Sequence, residues 1–138
     1  MENNVISIDC YAPVLPLVID HFTKETIQNE GFRVFKNDSE VTISNVSVHS
    51  NRITLTLAAD VSTGKLEVTY AGQGRSGSGN IRDSDEFYSL YTYYDDRETS
   101  PSKRENYTPK DSAGNYIYGK RYPMYNWLAS FYKLIREN

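Results

Sequence analysis

The chain has a single cysteine, Cys10, in 138 residues, and two histidines, His21 and His49. A lone thiol closes no intrachain disulfide, and so few soft ligands leave no Cys/His spacing that would hold zinc. No stretch approaches the roughly 20 apolar residues that a membrane-spanning helix needs. The opening residues, MENNVISIDCYAP, have neither the basic start nor the apolar run of a signal peptide, so no export address is expected there. Positive charge is not in excess either: 15 Lys and Arg stand against 18 Asp and Glu, a net charge of −3. That balance excludes a global basic field for nucleic acid. Strong 3.6-residue periodicity is also missing from the first half, which argues against a parallel sheet wrapped in helices.

What is present is tyrosine and alternation. Aromatic residues make up 13% of the chain, and twelve of them are Tyr. Residues 41–48 (VTISNVSV), 52–57 (RITLTL) and 65–70 (KLEVTY) alternate apolar with polar. In the second run this sets Ile53, Leu55 and Leu57 on one face, with Thr54 and Thr56 on the other. Residues 49–51 (HSN), 36–39 (KNDS) and 62–64 (STG) supply turns between runs. Residues 5–8, 17–22 (LVIDHF) and 32–35 (FRVF) read as further strands, and the polar stretch 23–30 as one helical turn. Short alternating strands with turns every 8–12 residues predict an all-β chain: a single antiparallel β-sandwich domain spanning residues 1–138.

The second half is less regular. Residues 87–94 (FYSLYTYY) and 116–118 have strand composition, and an irregular loop of about 95–115 lies between them. Loops of this length are usually functional or mobile. Residues 97–121 carry six Lys and Arg against three Asp and Glu, a local charge of +3. The tail, residues 125–135 (YNWLASFYKLI), fits both a helical stripe and a strand face. Its aromatic content favours the strand.

Three motifs bear on chemistry. Gly72, Gly74 and Gly77 have the spacing of a dinucleotide-binding loop, and the strand before them is present. That fingerprint also needs a helix to receive the pyrophosphate, and residues 78–87 carry no apolar period. Gly114 to Lys120 has P-loop spacing, but Arg121 stands where the magnesium-binding hydroxyl belongs and the intervening residues are an aromatic strand pattern. Asp83, Asp85 and Glu86, with Asn80 nearby, are the candidate oxygen ligands for a calcium ion, Asp83 and Asp85 foremost; the alternative is that Arg82 and Asp83 form an inward polar lock that bonds neighbouring backbone. Neither histidine has the spacing of a catalytic triad. The expectation is therefore a non-enzymatic chain, with no cofactor and no resident metal.

The aromatic surplus points to binding instead. Tyrosines left on an outer face suit another protein or a sugar ring. The candidate interaction residues are Tyr91, Tyr93, Tyr94 and Tyr107, with the basic Arg82, Lys103 and Arg104.

Residues 20–72, from DHFTKETIQNEGF through KLEVTYAG, resemble the immunoglobulin-like repeats of bacterial surface proteins of the SwmB type. Residues 79–85 (GNIRDSD) and 122–132 (YPMYNWLASFY) are similar to the closing part of β-sandwich modules on bacterial and phage carbohydrate-active proteins. The resemblance implies an immunoglobulin-like sandwich that binds or spaces. A lone domain of this kind, starting at a Met and lacking a disulfide, suits a phage capsid decoration protein, made in the host bacterial cytoplasm and displayed on the virion surface. Its partners would be capsid or other structural subunits, with no nucleic acid and no membrane. The alternative is a carbohydrate-binding module of a bacterial or phage surface protein, at the cell surface or extracellular, with a surface glycan as partner.

Overall fold

A computed structural model describes residues 3–72, 74–75, 77–92, 113–115 and 121–137, without the side chains of Leu90, Tyr91, Thr92 and Tyr122. The described chain is all-β and antiparallel. In chain order the strands are β1 (Val5–Asp9), β2 (Val18–Ile19), β3 (Phe32–Lys36), β4 (Ser39–Val41), β5 (Ile43–His49) and β6 (Arg52–Leu57). They continue with β7 (Leu66–Tyr70), β8 (Ile81–Arg82), β9 (Tyr88–Thr92), β10 (Arg121–Pro123) and β11 (Phe131–Arg136).

Two larger sheets carry the core. One has the order β1-β6-β5 and the other β11-β7-β3-β4. Strict alternation decides which residues they share. Ile53, Leu55 and Leu57 on β6 are buried, as are Phe32 and Val34 on β3 and Leu66, Val68 and Tyr70 on β7. These side chains meet in one cluster with Ile6 of β1, Ile43 of β5 and Ile81 of β8, the two-layer packing of a sandwich. Each fully buried Leu, Ile or Phe contributes about 1.5–3 kcal/mol relative to leaving it in water. The polar alternates Thr54 and Thr56 pair with Ser7 and Val5 across β1, on the opposite face.

Turn chemistry fixes the registers. Asn37 and Asp38 both have positive φ, 47° and 64°, the requirement of a two-residue primed turn, and Lys36 pairs with Ser39 across it. The Asn37 side chain also accepts the Lys65 N–H at 2.9 Å, tying this hairpin to the start of β7. Ser50, with φ 54°, turns β5 into β6 so that His49 pairs with Arg52.

Several sequence-based boundaries shift. The run 17–22 yields only the two residues of β2, because the Asp20 carboxylate accepts the N–H groups of Phe22 and Thr23 at 2.9 and 2.7 Å and draws the chain out of the ladder. The helical turn expected within 23–30 falls at Gln28–Gly31 and passes through left-handed backbone, with Asn29 at φ 51° and Glu30 at φ 56°. The tail divides: Trp127 makes one isolated bridge to Arg82, and only Phe131–Arg136 forms a strand, on the edge beside β7. Residues 93–112 and 116–120 lie outside the described residues, and with them most of the irregular loop and the strand expected at 116–118.

The glycine stretch does not open a helix. It runs into β8, which pairs with β2 through Ile19–Ile81 and Val18–Arg82. Its last glycine is a packing device. A Cβ on Gly79 would run into the ring and hydroxyl of Tyr70, and one on Gly31, at φ 100°, would strike Gly79 and Ser78 at 2.8 Å. The Tyr70 hydroxyl, closed in beside Phe32 and Phe131, accepts the Ile81 N–H at 3.1 Å. Burial lifts the Tyr70 phenol to about 12.

Candidate interaction site

A dense set of hydrogen bonds lies where residues 80–85 meet the loops 12–30 and 124–128. Asn80 is fully buried and uses its whole amide. It donates to the carbonyls of Asp20 and Glu25 at 3.0 and 2.9 Å and accepts the Ile27 N–H at 2.7 Å. Ile81 inserts into the core next to it.

Arg82 then turns outward only as far as Asp20. Its Nε donates to that carboxylate at 2.5 Å and its Nη1 to the Asp83 carbonyl at 2.7 Å. Its guanidinium also lies 4.0 Å from the centre of the Tyr125 ring. The Asp20 side chain is only 3% exposed, so the pair is shielded from solvent. Burial pushes the Asp20 carboxyl up. The N–H of Thr23, the Arg82 guanidinium, the Thr23 hydroxyl and the Phe22 N–H outweigh that and hold it below its ordinary value.

Asp83 is 1% exposed and works the other way along the chain. Its Oδ1 accepts the Asp85 N–H at 3.0 Å, and its Oδ2 accepts the Asn126 side-chain amide at 2.9 Å and the Val14 N–H at 3.3 Å. Here too burial raises the carboxyl, and these donors bring it below its ordinary value. The backbone completes the clamp: Asp83 N–H donates to Asn126 and Leu128 N–H to Ile81, at 3.0 and 2.9 Å. Segments 79–85 and 122–132, which sequence alone showed as separate motifs, thus lie side by side.

Above this clamp the surface is apolar and aromatic. Phe22, Phe87, Tyr88 and Met124 are 69%, 60%, 43% and 52% exposed. Three of them have their backbone held from below. Phe22 N–H is held by Asp20, Phe87 N–H by Asp85, and Met124 N–H by the Phe87 carbonyl. Val14 and Leu15 are exposed beside Ser84, whose N–H donates to Val14 and whose hydroxyl donates to the Pro16 carbonyl. Tyr88, Tyr125 and Trp127 stand in a row with ring centres 6.0 and 6.5 Å apart and planes turned by 72° and 60°. The Lys24 ammonium lies 5.4 Å from the centre of the Trp127 ring.

The residues expected from sequence fall as follows. Asp83 and Asp85 do come together, yet each points its carboxylate at N–H donors, and no group of three or more His, Cys, Asp or Glu that could hold a metal occurs among the described residues. Arg82, expected as an interaction residue, is committed internally to Asp20, Asp83 and Tyr125. Tyr91 sits on β9 with its side chain undescribed. Tyr93, Tyr94, Lys103, Arg104 and Tyr107 lie outside the described residues. Sequence reading missed Asp20 and Asn126, offered Asn80 only as a neighbour of the calcium candidates rather than as the buried amide of the clamp, and missed Phe22, Phe87 and Met124 above it.

His21 contacts the Glu30 carboxylate at 2.6 Å. Cys10 is half-buried, and burial followed by the Asp9 charge raises its thiol pKa, the reverse of an activated nucleophile. No family model, curated protein or solved structure matches this chain.

Proposed function

We propose that the protein is a non-enzymatic interaction module that binds a partner protein through the loop surface around Phe22, Phe87, Tyr88 and Met124. The setting we favour is the outer surface of a phage particle, where it would act as a capsid decoration subunit. The observation that carries the binding reading is the pairing of exposed apolar side chains with a rigid, buried polar base. Here Asp20, Asn80 and Asp83 hold the backbone in place, so little ordering entropy remains to oppose binding. Aromatic and Met side chains are those enriched at the centres of protein contacts.

The glycan reading rests on the row Tyr88, Tyr125 and Trp127. A sugar platform is a flat aromatic face, and these ring planes turn by 72° and 60° from one to the next. Lys24 also lies over the Trp127 ring. The surface therefore suits a knobbed protein contact better than a sugar ring. The phage setting is supported by the sequence resemblance alone.

Mass spectrometry of purified virions from cultures that make the protein tests the setting. The chain should co-purify with the particle and cross-link to capsid through Lys24. Phe87→Asp and Met124→Asp should each lower occupancy at least about tenfold, with circular dichroism and melting unchanged. Absence from particles would remove the decoration reading. Full occupancy by both variants would move the contact elsewhere on the domain, and binding on a glycan array lost with Tyr88→Ala would favour the sugar reading.

A further inference from the structure

Among the described residues, one side of the sandwich is open. On the opposite side the chain passes directly from β4 in one sheet to β5 in the other through Thr42, which closes it. At the open side β1 ends the three-stranded sheet and β11 ends the four-stranded one. Among the described residues the sheets are thus one strand unequal, and the edges β1 and β11 flank a groove that no further strand fills. Lys133 pairs in register with Val68, so its side chain projects on the core side of that sheet. Ile135, next to the bulge in β11, is 45% exposed. A groove of about 470 Å³ runs between the two edges, lined by Ile6 and Ile8 of β1, Val61, Leu66, Lys133 and Ile135.

The main chain of β1 is prepared for a neighbour. Leu57 N–H donates to Asn4 and Cys10 N–H to Asn51, so the even-numbered residues of this strand bond to β6. By antiparallel parity, the N–H and C=O groups of Val5, Ser7 and Asp9 point away from β6, along the free edge. No strand among the described residues takes them.

We propose that this open side is a strand-addition site for an extended segment of a partner protein, with an acidic residue between two apolar ones. The segment pairs with β1 and becomes the missing fourth strand. Alternate side chains then point into the groove. Apolar ones cover Ile6, Ile8, Leu66 and Ile135, and the acidic one meets Lys133, which has no carboxylate within ion-pair reach among the described residues. This surface is separate from the loop surface of the proposed function and does not depend on it. It uses main-chain pairing for affinity and the groove for selection.

The probe is the heptapeptide Ser-Val-Thr-Asp-Thr-Val-Ser, compared with the same peptide carrying Lys at its centre. Amide exchange of the full chain should slow at Val5, Ser7 and Asp9 by about tenfold or more when the Asp peptide is added. The Asp peptide should bind about tenfold more tightly than the Lys peptide. Ser7→Pro removes one outward N–H and leaves the β6 ladder intact, so it should abolish binding with its melting retained. Lys133→Glu, on an exposed edge, should reverse the preference between the peptides and serves equally if Ser7→Pro fails to fold. No protection at millimolar peptide, equal binding of both peptides, or undiminished binding by folded Ser7→Pro would overturn the proposal. So would protection of the same amides without peptide, which would assign the edge to a second copy if it grows with concentration and to the chain's own residues if it does not.

Discussion

Asp83 and Tyr70 show how much of this fold depends on single acceptors. Asp83→Ala strands three donors, the N–H groups of Val14 and Asp85 and the Asn126 amide, at a position 1% exposed. Leaving buried donors unpaired is more costly than the bond is worth. The expected loss is about 3 kcal/mol by urea denaturation, with the loops 12–16 and 124–128 becoming protease-sensitive. Tyr70→Phe keeps the ring against Phe32 and removes only the acceptor of the Ile81 N–H. It should cost about 1–2 kcal/mol, visible in the same titration. Such roles are not readable in sequence. Asp20 to Arg82 and Asp83 to Asn126 are contacts across 62 and 43 residues, and a carboxylate that faces inward has the same letter as one in water. Composition could only offer Asp83 as a metal ligand or a lock, and the difference lies in three N–H donors, two of them supplied by other loops through Val14 and Asn126.

Among the elements, those whose pattern was local were legible. β6 alternates cleanly and buries the face that alternation selects, and β7 does the same with Thr69 buried in addition, while the run 41–48 is split at Thr42 between β4 and β5 and bulged between Ile43 and Asn45; the turns use Asn, Asp, Ser and Gly. β2, β8 and β11 were less so because tertiary partners define them. β8 has two residues and exists because β2 and Trp127 flank it. The glycine segment gives the sharpest contrast between spacing and geometry. A Cβ at Gly72 meets nothing nearer than the Tyr70 carbonyl at 3.7 Å, whereas at Gly79 it would overlap the Tyr70 ring. Gly72→Ala should leave stability within about 0.5 kcal/mol. Gly79→Ala should lower it by about 1–3 kcal/mol through overpacking. Equal melting of the two variants would show that the loop does not rest on Tyr70.

For the whole molecule, the buried carboxylates make stability depend on acid. Asp20 and Asp83 both titrate below the ordinary 3.8 in the folded state. The unfolded chain therefore takes up their protons first as pH falls. Their contribution is complete above that ordinary value and is lost as pH drops through the folded values. Asp9 and Glu40 are lowered as well, through hydrogen bonds to Arg52 and Arg33, but both are more exposed and screened. Urea midpoints should be flat between pH 7 and pH 5 and fall steeply toward pH 3, roughly in the window of ordinary carboxylates. A double Asp20→Asn, Asp83→Asn variant should begin less stable and show a shallower slope. An unchanged slope would place the acid sensitivity in the exposed pairs.

The clamp joins residues near 14 and 20, 80–83 and 126, and Phe131 of β11 closes the ring stack with Phe32 and Tyr70. During synthesis, then, the chain cannot seal its loop end or its last sheet edge until residue 126 and the strand after it have left the ribosome. Until that moment the ring faces of Phe32 and Tyr70 and the outer edge of β7 remain available to other chains. A domain built on such distant pairings belongs with the slower, millisecond-to-second folders. Its period of greatest exposure to misassembly lasts until those residues have emerged.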